Sequence, residues 1–210
     1  FQAVLSSNQQ WLAFQDRNGI KIVEQPFISK PLIISTVQSD RIRLVFSDNS
    51  ELLAYSDDEG LKIFNILEEA SSLLVAHSTD QSDVSKIRFY YPQQWSPDSE
   101  WLWMGVSHWE GFSHVLAHVP TKTFHEYTGC YSDTDWFKTS KALVATVHYS
   151  GYLSCGDEDG IYLIDLANNN QVVEKRIYQE ISPSETWERE SREVSLSPDN
   201  EKLSFVQLSY

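Results

Sequence analysis

Ser197-Pro198-Asp199-Asn200-Glu201-Lys202-Leu203-Ser204-Phe205 and Ser96-Pro97-Asp98-Ser99-Glu100-Trp101-Leu102-Trp103-Met104 are two copies of one nine-residue phrase. Weaker copies stand at 47–55 (Ser-Asp-Asn-Ser-Glu-Leu-Leu-Ala-Tyr) and 6–14 (Ser-Ser-Asn-Gln-Gln-Trp-Leu-Ala-Phe), and a degenerate one at 137–145. Each is a polar turn feeding an apolar strand, with a leucine in the seventh place: Leu12, Leu53, Leu102, Leu143 and Leu203. The leucines are 41, 49, 41 and 60 residues apart, the period of propeller blades.

Turn chemistry supports that reading. Pro198 and Pro97 have φ already near the value the second position of a type I turn needs, and Asp, Asn and Ser accept the remaining positions. A second set of reversals carries Asp57-Asp58-Glu59-Gly60, Asp157-Glu158-Asp159-Gly160 and Arg17-Asn18-Gly19, where glycine supplies φ > 0 for a tight hairpin. Helical signals are confined to Ile66–Ser72. The remainder is short alternating runs between Asp/Asn/Ser/Gly turns, the all-β pattern. The chain divides into four-strand units at about 1–36, 41–77, 86–127 and 131–178, with a fifth begun at 192–210. This predicts one all-β domain over 1–210: a β-propeller of four-stranded antiparallel blades, about four and a half of them visible, part of a larger propeller. Strand patterns run to both ends, so the chain reads as a piece cut at each. In Leu12-Ala13-Phe14 and Leu53-Ala54-Tyr55, large residues flank a small one. Both faces of such a strand are expected to be core, which requires the units to stack.

The Ser-Pro-Asp-x-x-x-Leu-x-Phe phrase is followed by a Gly-x-x-Ile-Tyr-x-x-Asp-Leu type of phrase, clear at 160–166 and softer at 60–66. Together they resemble the WD40-like (PD40-type) repeat of TolB-like β-propellers over nearly the whole chain. That resemblance implies an exported, periplasmic or secreted protein. It also admits a propeller domain attached to a peptidase.

Composition restricts the function. A hydrophobic share of 41% with 13% aromatics fills a sizeable core. No run approaches the roughly 20 apolar residues of a membrane span. A net charge of −14 argues against nucleic acid and anionic membranes and favours a cationic partner or simple solubility. Cys130 and Cys155 are compatible with one bridge or with two free thiols.

Catalytic motifs are absent: there is no Gly-x-Ser-x-Gly elbow, phosphate-binding glycine loop or His-Glu-x-x-His. No catalytic residue and no cofactor is therefore expected. His108, His114, His118 and His125 cluster in sequence, and His114 and His118 share a strand face. A zinc site would need a third ligand such as His125, whereas histidines mixed among aromatics explain the pattern without metal. The acidic runs 57–59 and 157–159 offer oxygens to calcium but lack an EF-hand loop, and tight hairpins account for both. No metal site is assigned.

Assigning each connection to an end of the sheets separates the charge. Loops 16–19, 37–41, 56–60, 78–85, 107–113, 129–135, 148–160 and 179–191 hold 17 acids and three basic residues, Arg17, Arg41 and Arg189. Loops 6–10, 25–31, 47–51, 66–72, 96–100, 120–122, 138–141, 167–171 and 197–201 hold eight acids and four lysines. The first set also carries Trp109, Phe112, Tyr149, Tyr152 and Trp187. Aromatic anchors beside an acidic rim are what a protein-binding surface offers. The sequence therefore predicts a non-catalytic scaffold for a protein or peptide, in particular a basic one. Trp109, Phe112, Tyr152 and Trp187 would be its anchors, and Asp57, Asp58, Asp157 and Asp159 its steering charges. Two alternatives stand beside it: an accessory, substrate-gating propeller of a larger hydrolase, and a carbohydrate or small-ligand binder stacking sugars on tryptophan.

Overall fold

The structure is a computed structural model, describing residues 2–37, 43–80, 82–109, 111–127, 131–147, 160–168, 171–179 and 189–209. Strands β1 (Ala3–Leu5), β2 (Trp11–Asp16), β3 (Gly19–Glu24) and β4 (Leu32–Ser35) form an antiparallel sheet in chain order. The second sheet repeats the plan with β5 (Leu44–Phe46), β6 (Leu52–Ser56), β7 (Gly60–Asn65) and β8 (Ala70–Ala76). The third comprises β9 (Arg88–Trp95), β10 (Trp101–His108), β11 (Gly111–His118) and β12 (Thr123–Tyr127). The fourth comprises β13 (Tyr131–Trp136), β14 (Ala142–Val147), β15 (Gly160–Asn168) and β16 (Gln171–Gln179). A fifth pair, β17 (Arg189–Leu196) and β18 (Leu203–Ser209), follows. The turn or so of helix that Ile66–Ser72 could make does not form. Residues 66–69 are a turn, and Ala70 already pairs with Asn65. The glutamates there lie on an exposed reversal whose far side is a strand, so ladder pairing overrides local helix preference. One helical turn among the described residues, a 3-10 turn at Val84–Lys86, was not foreseen; Asp83 caps it by accepting from Ser85 N–H.

The repeated phrase has one physical cause. In the turn after β5, Ser47 N–H donates to Leu52 O at 2.9 Å, and Ser50 N–H donates back to Ser47 O at 2.9 Å. The Ser47 hydroxyl donates to Asn49 Oδ1 at 2.6 Å and accepts from Leu52 N–H at 3.0 Å. Asn49 Oδ1 in turn accepts from Glu51 N–H at 3.1 Å. The same bonds recur around Ser6, Ser96 and Ser197. The fourth residue is left-handed in each: Gln9, Ser50, Ser99 and Asn200 have φ of 61°, 62°, 63° and 60°. In the degenerate copy Phe137 replaces the serine, yet Phe137 N–H still reaches Ala142 O at 3.0 Å and Ser140 keeps φ 58°.

Serine is uncommon at left-handed φ, and here it has a second task. Ser50 Oγ accepts from Asn8 N–H in the preceding sheet's turn at 3.1 Å, and Ser99 Oγ accepts from Asn49 N–H at 3.3 Å. The Ser6 turn is thereby latched to the Ser47 turn, and the Ser47 turn to the Ser96 turn.

Packing divides the described structure into two compact units, 1–109 with 115–124, and 110–114 with 125–210. Within the first, alternate residues of the second sheet face opposite neighbours. Leu53, Tyr55 and Phe64 pack with Ala13, Ile20 and Ile22 of the first sheet, whereas Ala54, Leu61 and Ile63 pack with Leu102, Met104 and Val106 of β10. The large–small–large strand is thus core on both faces, as its sequence requires. Polar stitches join the same sheets: Trp95 Nε1 donates to Val45 O at 3.0 Å, and Ser56 Oγ to Tyr90 O at 2.8 Å. In the second unit Val144 and Ile161 pack on Val194, and Leu196 N–H donates to Asp135 Oδ2 at 2.7 Å.

Candidate functional site

The β6–β7 hairpin builds the acidic feature that the structure describes best. Asp57 N–H donates to Gly60 O at 3.0 Å, and Asp57 Oδ1 accepts from Glu59 N–H at 3.1 Å. A Cβ at Gly60 would lie 2.2 Å from Val75 O, so only glycine lets β7 pair with β8 there. Lys62 Nζ donates to Asp57 Oδ2 at 2.8 Å and lies 2.6 Å from Glu59 Oε2. Burial alone would lower the Lys62 pKa, but bonds to Asp57 and Glu59 outweigh it and hold the ammonium above its ordinary value. Ser35 Oγ from β4 also donates to Asp57 Oδ2, at 3.2 Å. The β2–β3 hairpin has the same chemistry: Asp16 accepts from Lys21 Nζ at 2.5 Å and from Asn18 N–H at 2.7 Å. The bond from Lys21 chiefly, and then that from Asn18, holds the Asp16 carboxyl below its usual value.

Between the end of β4 and the β6–β7 hairpin lies an open groove of 310 Å³. Ile33, Ile34 and Val37 supply its apolar wall, and Asp58, Glu59 and Lys62 its charged one. His77 lies behind the hairpin. Its backbone N–H donates to Glu59 O at 2.9 Å, and its ring Nδ1 accepts from Tyr90 N–H at 3.2 Å. Burial lowers the His77 pKa, while Asp57 and Asp58 pull the other way, so the ring is neutral near pH 7.

The sequence-predicted residues meet different fates. Asp58 is exposed on the groove. Asp57 is buried, and its charge is met by Lys62 and Ser35. It shapes the hairpin and holds the charge pair, while the outward charge belongs to Asp58 and to Glu59, whose side chain is 69% exposed. Trp109 follows β10 and is 64% exposed. Phe112, on β11, is half-buried with its ring edge-on to His114 at 4.7 Å. Tyr152, Trp187, Asp157 and Asp159 lie outside the described residues, as do Tyr149, Cys130 and Cys155. The sequence reading missed Ser35 and the β4 wall of the groove, which come from a different repeat unit. It also missed Lys62, although Asp-x-x-Gly-x-Lys occurs at both 16–21 and 57–62 and could have revealed the clamp.

The histidines do not assemble into a centre. His114 is buried with the ring edges of Phe112 and Tyr131 against it, and burial pushes its pKa down to about 3. His118 instead packs on Trp101 at 4.6 Å and bonds Thr121 Oγ1 at 2.7 Å. Beside His114, Tyr131 packs edge-on with Tyr127 and Tyr162 and donates its hydroxyl to Glu174 Oε1. Burial first, then Glu174, keeps the Tyr131 phenol protonated. Among the described residues no three His, Cys, Asp or Glu side chains are grouped to hold a metal.

No family model matches the sequence, and no curated protein does. Solved structures do match by shape. A putative TolB from Agrobacterium tumefaciens is 11% identical with a TM-score of 0.54, the match covering 99% of this chain and 80% of that one. An oligogalacturonate lyase solved with manganese is 10% identical with a TM-score of 0.60, covering 100% and 64%. The β-propeller domain of Cps50 (Swd1) from Myceliophteria thermophila is 10% identical with a TM-score of 0.52, covering 97% and 60%. The chain thus spans less than two thirds of the latter two proteins. The fold is an all-β propeller built from four-stranded antiparallel sheets, and TolB-like and WD40 propellers are among its structural neighbours. It is a scaffold found in a lyase as well as in a putative TolB. Among the described residues no helix is long and apolar enough to cross a membrane.

Proposed function

We infer that this chain is a non-catalytic scaffold that binds a basic protein or peptide through the acidic hairpin ends of its sheets. The observation that carries this reading is the groove beside β4, where Asp58 and Glu59 face an apolar wall of Ile33, Ile34 and Val37. Exposed charge of one sign steers encounter, and apolar surface beside it holds what arrives. Trp109, exposed in the same unit, is an aromatic anchor of the kind that dominates binding energies. Tyr152, Trp187, Asp157 and Asp159 are assigned to the same task from their place in the sequence, and so is the part of Phe112 that β11 leaves exposed. The resemblance to the TolB-like repeat supports a periplasmic or secreted placement. Joined Cys130 and Cys155 would support it, and free-thiol titration of the unfolded protein with and without reductant tests that pairing.

The test of function is calorimetric titration with a panel of Lys-rich and Glu-rich peptides. Wild type is compared with a variant carrying Asp58→Asn, Asp157→Asn and Asp159→Asn, with Asp57 left intact because it is part of the hairpin. The reading requires a preference for the Lys-rich peptides that weakens with salt and falls in the variant. Equal binding of both peptide classes, or no change in the variant, rejects it.

A further inference from the structure

The outermost strands of the first two sheets carry different side-chain contacts. β8 ends the second sheet, and Lys122 from the third covers its edge by donating Nζ to Leu73 O at 2.8 Å. A lysine laid on an edge strand is a common block against pairing with another chain. β4 ends the first sheet. Its one strand partner among the described residues is β3, and the buried Tyr55 hydroxyl of β6 donates to one of its carbonyls, Ile34 O, at 3.4 Å. Leu32 and Ile33 are 40% and 49% exposed, and Ile28, in the connection leading to β4, is 87% exposed. An unpaired, apolar strand edge accepts a further strand, with main-chain bonds giving affinity and alternate side chains giving specificity.

What the edge would accept is set by charge. Lys30 stands before the start of β4. At its other end Ser35 is bonded to Asp57, and the groove opens onto Asp58 and Glu59. Three acids and one lysine line that groove. Lys62 is already engaged by Asp57 and Glu59, so Asp58 and the exposed part of Glu59 are left for a cation. Ile33 lines the groove and is also a strand residue, so a chain lying along β4 brings one of its side chains beside Asp58.

We propose that β4 receives an extended peptide segment of a basic partner, paired along its outer edge, with an apolar side chain on Ile33 and a Lys or Arg side chain at Asp58 and Glu59. This rests on the acidic-face reading above and specifies how the partner binds: by strand addition, not by docking onto loops.

The probe is a fluorescein-labelled peptide, Thr-Val-Thr-Val-Thr-Lys-Thr-Lys, with two analogues, one with Glu in place of Lys and one N-methylated at both Val amides. Anisotropy gives affinity, and amide shifts in labelled protein give the site. Glu for Lys is expected to weaken binding roughly tenfold or more, because charges of one sign are then juxtaposed. N-methylation removes ladder donors and is expected to cost roughly tenfold. Asp58→Asn with Glu59→Gln is expected to cost roughly threefold to tenfold and to remove most of the salt dependence. Amides at 32–37 and 57–60 are expected to shift. Indifference to N-methylation, or shifts that spare 32–37, overturns strand addition even where the Lys preference survives, and the acidic-face reading then stands alone. Indifference to Lys and to the Asp58/Glu59 variant overturns both. Shifts at 32–35 that grow with protein concentration in the absence of peptide would assign the edge to a second copy of this chain and reject the proposal.

Discussion

The two ends of the first two sheets use similar residues to opposite effect. At the Ser-x-Asn turns each named polar group is matched inside the fold. The serine hydroxyl, the Asn carbonyl oxygen and the reversed N–H groups satisfy one another, and Ser50 and Ser99 latch one turn to the next. At the hairpins the first aspartate is matched by a lysine five residues on, Asp16 by Lys21 and Asp57 by Lys62. Asp58 is surplus to that pairing, Glu59 shares Lys62 with Asp57, and both line a groove. One end is therefore about stability and the other about contact. Loops that carry function are those whose polar groups the scaffold does not consume.

That contrast can be broken at four points. Gly60→Ala should have the largest effect, because its Cβ would lie 2.2 Å from Val75 O and force β7 and β8 apart. A loss of about 3 kcal/mol or more in urea unfolding is expected. A loss under about 1 kcal/mol would mean that the hairpin is looser than its pairing with β8 implies. Ser47→Ala should cost about 2 kcal/mol, since it strands Leu52 N–H and removes one of the donors to Asn49 Oδ1. Peptide affinity should be unchanged, and a change there would deny the division of labour between the two ends.

Ser50→Ala should cost about 1 kcal/mol by losing the bond from Asn8 N–H while keeping the left-handed strain. Ser50→Gly should cost less, because glycine relieves that strain. Equal losses in the two variants would show that the inter-sheet bond, not backbone conformation, sets the value of this serine. Asp58→Asn should be smallest, within about 0.5 kcal/mol of wild type in unfolding, with its effect confined to binding and salt dependence. A stability loss above about 1 kcal/mol would place Asp58 inside the fold's own electrostatics.

Legibility followed the range of the interactions involved. The turns were readable because their bonds close within five residues, so the serine, the Asx and the following apolar strand must sit together in sequence. The failure of the Ile66–Ser72 helix is the converse case. Its residues favour helix locally, but Ala70 to Ala76 are claimed by pairing with β7. Asp57 was assigned to the rim because its neighbours are acidic, whereas its burial depends on Ser35 and Ile34 arriving from another sheet.

The sequence by itself determined the repeat, the all-β architecture, the turn chemistry and the uneven distribution of charge between loop sets. Those properties are local or additive: hydrogen bonds within a turn, the two-residue alternation of strands, the sum of ionised side chains. Only the tertiary structure decided which charges remain available, which strand edge is covered by Lys122, and where an apolar wall meets Asp58. Each of these is set by residues far apart along the chain, brought together because no single sheet can bury both of its faces alone.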